Sequence, residues 1–424
     1  VISSILAYFC SEFNLENLKL KFMSKNIVVK KGLDLMLTGA PSLEIEEAKF
    51  SKDFSIYPSD FHGVYPKLIV KENDLVKAGE ALFFDKNSER VKFVSTVSGK
   101  IKEIVRGDRR KVLEIKIEPD KNISYKKIEK LKSDEPAIII DFLVDNGLWP
   151  FIKQRPYDVI ADPNSNPKEI FISGFDSSPL SADFDFITKD EKESISCAIS
   201  VLSKLCSRPI NISLRKESQS FLRELDDVTI HNVSGPHPSG NLSTIINKVC
   251  PINKGDIIWT LNLPDLTIIG RAILEGKFLA ERLIALAGSS VSNPKYVKTL
   301  IGSNISSFLK LNEKNSRVIS GNVLTGTKLG SIAHLRYYSN EITAIPEGDD
   351  YDLFGWAKPM FDKFSVSRAL TFSWLFPEKK YDLNTNTNGE HRAFVVTGSF
   401  EEVFPLDIYP MQILKACMYK DLDE

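Results

Sequence analysis

"ALFFDKNSERVKFVSTVSGKI", residues 81–101, sets one apolar run against another across a polar reversal that begins at Asp85-Lys86. The neighbouring runs, "KLIVKENDLVKAGEALFF" (67–84) and "KVLEIKIEP" (111–119), repeat the pattern of short β-branched segments. Asn73-Asp74, Gly79, Gly99 and "RGDRR" (106–110) supply the turns between them. A small all-β module is expected. The question it raises is whether Lys86 is an arm that carries a covalent cofactor or an ordinary turn residue.

Two similar halves meeting at one exposed hairpin match a biotinyl/lipoyl-like barrel-sandwich hybrid, expected here over residues 23–130. In a working carrier the modified lysine stands alone at the apex of a tight hairpin. Here "NSER" follows Lys86 and the next strand is expected at Val91, which places the lysine off the apex. A polar-turn lysine is ordinarily solvated, so no covalent modification is expected.

Downstream the texture changes. "KEIFISGF" (168–175), "PINISLR" (209–215), "DVTIHNV" (227–233) and "DIIWTLN" (256–262) are strand-like. Between the first two, Ile195, Ala198, Ile199, Leu202 and Leu205 recur at helical spacing behind an expected capping box of Thr188 and Glu191. The alternation predicts a parallel, Rossmann-like α/β domain over 131–276. "ERLIALAGSSVSNPKYVKTLIGSNISSFL" (281–309) reads as strand, turn, strand and short helix, a β-grasp, SLBB-like unit over 277–345. An aromatic-rich mixed segment, 346–424, ends on a helix in "DIYPMQILKACMYKDLDE".

With 424 residues, 42% hydrophobic and 26% charged, the chain has the composition of a multidomain globular protein. Its formal net charge of −1 carries no basic footprint for nucleic acid. No apolar run approaches the roughly 18–20 residues of a membrane span, so any membrane role is expected to be peripheral. Cys10, Cys197, Cys206, Cys250 and Cys417 lie far apart without a CxxC, which spells neither a disulfide framework nor a metal cluster and suits a reducing compartment. Residues 1–22 lack a basic n-region, and Met23 is read as a natural start after an extension.

Chemistry is sparse. "NVSGPHPSGNLSTIINKV" (232–249) places Gly235, His237 and Gly240 after a strand and before a helix, a candidate anion-binding loop, or simply a stiff capped turn. "GNVLTGTKLG" (321–330) has P-loop glycine spacing, but Thr327 precedes Lys328, so a turn is expected. His231 and His237 do not have metal-ligand spacing, and "EGDDYDLFG" (347–355) lacks the periodicity of a calcium loop. No metal site and no catalytic residues are assigned.

Taken in order, "KKGLDLMLTGAP" (30–41), "FFDKNSERVKFVSTVSGKI" (83–101), "VDNGLWPFIKQRPYD" (144–158), "GPHPSGN" (235–241), "ERLIALAGSSVSNPKYVKTLIG" (281–302), "LFGWAKPMFDKFSVSRA" (353–369) and "SFEEVFPLDIYP" (399–410) resemble the A subunit of the bacterial Na+-translocating NADH:quinone reductase. The likeness runs from Lys30 to about Asp407; residues 1–22 have no counterpart, and the family continues past Glu424. It implies a peripheral subunit on the cytoplasmic face of the bacterial inner membrane, in a six-subunit complex that couples NADH oxidation by ubiquinone to Na+ export. The membrane-embedded B subunit and the C subunit of that complex would be its main partners. NADH, FAD, FMN, riboflavin, iron-sulfur centres and ubiquinone would be used on other subunits, with no redox cofactor on this one.

The resemblance also implies kinship with flavin-binding respiratory subunits, whose Gly-rich phosphate loop aligns with "GLWPFIKQRPYD" (147–158). Leu148, Trp149, Pro150 and Phe151 are too bulky there for a close backbone approach, so the flavin site is expected to be lost. Quinone-binding segments of the family map onto "YPSDFHGV" (57–64) and "FIKQRPYD" (151–158). They nominate Phe61 and Phe151 as walls and His62, Gly63, Arg155 and Tyr157 as polar or close-approach neighbours. The same residues could instead pack one domain on another or dock onto a membrane subunit. A stand-alone carrier modified on Lys86, and a nucleotide-binding oxidoreductase using the α/β sheet, are the competing classes.

Overall fold

A computed structural model describes residues 24–421, apart from 227, 331–332, 351, 356, 359–360, 362, 366–372 and 390–392. The expected extension 1–22 and Cys10 lie outside the described residues.

A seven-stranded mixed sheet organises the middle of the chain. Its strands are β1 (Asn26–Val28), β2 (Lys153–Arg155), β3 (Val159–Ile160), β4 (Glu169–Ser173), β5 (Ile210–Arg215), β6 (Val228–Ser234) and β7 (Ile258–Asn262). They lie in the order β1-β6-β5-β4-β7-β2-β3. The first five in that order are parallel, and β2 and β3 add an antiparallel edge. The expected parallel sheet is thus a mixed one. Burial on both faces explains the unbroken apolar run Ile170–Phe171–Ile172 of β4, while β5 alternates Ile210, Asn211, Ile212, Ser213 and Leu214 although all five are buried.

Three helices cover the sheet: α1 (Lys192–Ser203), α2 (Leu242–Val249) and α3 (Leu263–Glu275). On one face, Ile195, Ala198 and Leu202 of α1 and Leu266 and Ile269 of α3 join Ile170, Ile172 and Ile212 in the main core. On the other, Ile245 and Ile246 of α2 pack with Phe171, Val233 and Ile258. The expected capping box is not formed. Thr188 instead closes the short helix Phe184–Ile187, its hydroxyl donating to the Phe184 carbonyl at 2.7 Å, and Glu191 holds the N-cap position of α1 without a side-chain capping bond, its carboxylate paired with Arg271.

The β module consists of a four-stranded sheet (54–56, 112–119, 99–106 and 75–76) and a three-stranded one (66–68, 81–85 and 88–94). Phe83 and Phe93 stack between strands with ring centroids 4.6 Å apart. The hairpin between 81–85 and 88–94 is tighter than its sequence suggests. Asp85 pairs with Ser88 across a two-residue turn, and a register shift before Lys92 takes up Glu89–Val91. The Asp85 carboxylate accepts the Asn87 and Tyr65 N–H groups, both at 3.1 Å. Lys86 therefore stands at the apex, exposed. The polar "SER" that reads as loop is the outward side of a strand, where Arg90 meets Asp141.

A six-stranded sheet built on 281–287, 295–300, 316–320 and 341–346 follows. Two short N-terminal segments reach away from the β module. β1 extends the seven-stranded sheet beside β6, and Ile45–Glu47 extends the six-stranded sheet beside 295–300. Thr327–Lys328 follows the glycine turn at 321–326 as a strand, and no helix begins there. The last helix of the described residues is Pro410–Tyr419.

Candidate functional site

The two segments nominated for quinone binding meet at an aromatic junction. Phe61, at the end of the 3-10 turn Pro58–Asp60, has its ring centroid 4.3 Å from that of Phe93 and 4.8 Å from that of Tyr337. Phe151, from the turn Trp149–Phe151, stacks on Tyr337 at 5.3 Å. The Tyr338 hydroxyl donates to the Pro150 carbonyl at 2.6 Å, and Lys153 Nζ lies 4.3 Å from the Tyr338 ring centroid. Phe61 and Phe151 are 2% and 1% exposed, so they belong to a closed core in which the β module and the six-stranded sheet are joined.

Charge is matched beneath the rings. Asp60 accepts from Arg336 Nε at 2.6 Å and from the Tyr337 N–H at 3.0 Å. Burial raises its carboxyl above the usual range against those attractive contacts. Burial likewise lifts the Tyr337 and Tyr338 hydroxyls well above the ordinary tyrosine value, so both stay protonated.

The remaining nominated residues form the rim. His62 Nδ1 lies 3.3 Å from the Asp158 carbonyl, and Arg155 reaches the Asp158 carboxylate at 3.3 Å. Gly63 has φ +76°, and a Cβ there would stand 3.0 Å from Val159. Tyr157 is 75% exposed. All six residues are thus brought into one neighbourhood, with two inside and His62 and Tyr157 outside.

Arg155 also borders a cleft of about 630 Å³, as do Ser173, His237, Asn262, Asn340 and Glu341. Its position follows from strand order. β4 and β7 are sequence-distant neighbours whose last residues, Ser173 and Asn262, are paired in register. At such a switch point the connections leave in opposite directions and open a crevice at the carboxyl ends of the strands. The loop 235–241 forms one side. Ser177 Oγ accepts the Gly240 N–H at 2.8 Å and lies 3.0 Å from His237 Nδ1, while Asp34 accepts the His237 N–H at 2.8 Å. Gly235 sits at φ +120° against the Val29 carbonyl, where a Cβ would come within 2.0 Å. The loop is therefore held from both sides, and His237 faces the cleft. His231 belongs elsewhere: it is buried between the Lys25 N–H and Asn211, and desolvation lowers its pKa to about 4.

Three family descriptions match successive parts of the chain: the NqrA N-terminal barrel-sandwich hybrid domain over 27–120, the NqrA second alpha/beta domain over 135–278, and the NQRA C-terminal domain over 283–330. The A subunit of the Na(+)-translocating NADH-quinone reductase of Marinomonas sp. (strain MWYL1) is 35% identical over 403 residues, 93% of this chain and 90% of that protein. Proteins of the same name from Vibrio vulnificus (strain YJ016) and Haemophilus influenzae (strain PittGG) are 34% and 33% identical, each over 94% of this chain and 90% of their own length. The chain belongs to this NqrA family, the A subunits of Na(+)-translocating NADH-quinone reductases.

As a member of that family it is one component of a multi-subunit enzyme complex, a sodium-translocating oxidoreductase, and no helix among the described residues is long and apolar enough to cross a membrane. The barrel-sandwich hybrid expected from the hairpin is the family's N-terminal domain. Among the described residues no cluster of metal-ligating side chains occurs. The segment 147–151 is filled by its own side chains: Trp149 is fully buried and donates Nε1–H to the Ala161 carbonyl at 2.7 Å, and a Cβ on Gly147 would strike Val94 at 2.3 Å.

The aromatic partners Tyr337 and Tyr338, and the cleft residues Asn340 and Glu341, are not foreshadowed by any motif. The stretch "HLRYYSN" (334–340) concentrates rings and polar groups within an irregular connection, and that density is the available signal.

Proposed function

We propose that this chain is a non-redox, peripheral component on the cytoplasmic face of the bacterial inner membrane, docked on the B and C subunits of a pump that carries electrons from NADH to ubiquinone and exports Na+. Its contribution is structural and, at the rim of the aromatic junction, quinone-facing. The seven-stranded sheet is read as Rossmann-like and the six-stranded one as β-grasp, SLBB-like. One observation supports the reading: residues 61–63 and 151–158, far apart in sequence, converge with His62 beside Asp158 and Tyr157 projecting into solvent.

In this reading Phe61 and Phe151 form a rigid backing rather than open walls, and His62, Arg155 and Tyr157 at the rim offer donors to a quinone carbonyl. The packed turn at 147–151 leaves no backbone cradle for a flavin phosphate, which favours a protein without its own redox group. The test is the assembled complex carrying His62→Ala or Tyr157→Ala, both exposed positions. Quinone KM is expected to rise severalfold while NADH oxidation by an artificial acceptor is unchanged. Unchanged quinone kinetics in an intact complex would discard the quinone-facing role.

A further inference from the structure

The cleft at the carboxyl ends of β4 and β7 is separate in chemistry from the aromatic junction. Its border is dominated by hydroxyl, amide and charged groups, which suits neither a quinone ring nor an isoprenoid tail. A volume of about 630 Å³ falls within the range of small-molecule sites.

Donors converge from one side. Helix α2 begins in the cleft wall, and Asn241, its N-cap, makes no side-chain capping bond. As the first residues of the helix, Leu242 and Ser243 have N–H groups without intrahelical acceptors. His237 stands beside them; elsewhere in the lining Arg155 and Arg336 are paired with Asp158 and Asp60, and Lys153 makes no ion pair among the described residues. A helix start whose first N–H groups have no intrahelical acceptor, with an imidazole beside it, suits an oxyanion.

Acceptors and donors without partners face it. Asn340, 9% exposed, commits Oδ1 to Arg282 at 2.6 Å, and among the described residues its Nδ2 has no protein partner. Glu341, 4% exposed, accepts the Ala182 N–H through Oε2 at 2.9 Å and leaves Oε1 without one. Neither free atom is sealed away from the cleft. Because both atoms are open to the cleft and uncommitted within the protein, an amide donor and a carboxyl side by side point to hydroxyl groups on a bound molecule.

We infer that this cleft binds a small hydroxylated oxyanion, with its phosphate or carboxylate head at the start of α2 beside His237 and its hydroxyl-bearing body against Asn262, Asn340 and Glu341. Such a ligand would sit where the α/β unit meets the six-stranded sheet and would tie the two together.

The test is calorimetric titration of the full chain with ribose 5-phosphate, L-malate, inorganic phosphate and ribose. One of the two hydroxylated anions is expected to bind at a single site about tenfold more tightly than inorganic phosphate, and ribose is expected not to bind. Whether ribose 5-phosphate or malate does so identifies the head group. Ser243→Asp puts an anion at an exposed first-turn position that itself favours the helix, so folding is retained. It is expected to weaken binding at least about tenfold by repulsion, and His237→Gln is expected to weaken it as well. No heat from any anion at millimolar concentration would overturn the site. Equal affinity in both variants would also overturn it, and inorganic phosphate binding as tightly as the hydroxylated anions would overturn the role of Asn340 and Glu341.

Discussion

Tyr57 and His334, 277 residues apart, lie within hydrogen-bond distance, with the tyrosine hydroxyl 3.0 Å from His334 Nδ1. The pair fastens the β module to the six-stranded sheet's connection. Tyr57 also donates to Glu114 at 3.0 Å, and His334 Nε2 lies 2.6 Å from the Asp53 carboxylate. His334 is 1% exposed, so partners lost here are not replaced by water. Burial works to raise the Asp53 carboxyl, but hydrogen bonds from His334 and Asn304 outweigh it and hold the group below its ordinary value.

Tyr57→Phe removes one hydroxyl and leaves His334 Nδ1 to find another partner in a dry site. A loss of about 1–3 kcal/mol is expected, measured by urea unfolding. Because the Asp53 pKa is depressed on folding, its contribution is present above the unfolded value and is lost as the pH falls through the folded one. Asp53→Asn should therefore destabilise at pH 7 and matter less near pH 3.

Gly270 gives a second, sharper expectation. In an isolated helix, alanine is favoured over glycine by about 1 kcal/mol. Gly270 of α3, however, lies where a Cβ would fall 1.8 Å from the Ser194 carbonyl of α1. Gly270→Ala should therefore destabilise by roughly 1–3 kcal/mol as the helices are forced apart. Thermal unfolding that showed no loss would mean that the two helices are less tightly seated than this contact requires.

These contacts mark the boundary of what the sequence alone makes legible. The strands β4 to β7 announce themselves because each is a short, dense, β-branched run, and α1 because its apolar positions recur at helical spacing. β1 and Ile45–Glu47 are three residues long and carry no period. They are strands only because a distant edge accepts their backbone groups, which no local pattern records. The hairpin at Lys86 is legible but its turn is not, since charge on the outer face of a strand looks like loop. At the junction, His62 and Arg155 come from two recognisable segments, whereas Tyr337, Tyr338 and Asn340 come from a connection whose shape is set by tertiary packing.

Arg282 and Asp265 form an ion pair whose side chains are 2% and 3% exposed. Arg282 also holds the Asn340 side chain, so the pair positions one wall of the cleft. Removing one member leaves the other charged and buried, which typically costs about 3–5 kcal/mol. Asp265→Asn is expected to fall in that range by chemical denaturation. Arg282→Met combined with Asp265→Leu should recover most of the loss, because neither charge then remains unpaired.

Glu341 makes the opposite pH prediction from Asp53. Burial, with the nearby charge of Asp176, raises its pKa from 4.5 to about 8. A carboxyl raised in this way binds its proton more tightly when folded than when unfolded. Folded stability is then lost as the pH rises from about 4.5 toward 8, and changes little from this group outside that window. Glu341→Gln keeps an oxygen for the Ala182 N–H and cannot ionise. Its melting temperature should match the parent near pH 4 and exceed it at pH 8, by an amount corresponding to about 1–3 kcal/mol. Melting curves of the two proteins collected from pH 4 to pH 9 should diverge upward through that interval. Parallel curves would mean that Glu341 ionises as freely in the folded protein as in the unfolded chain.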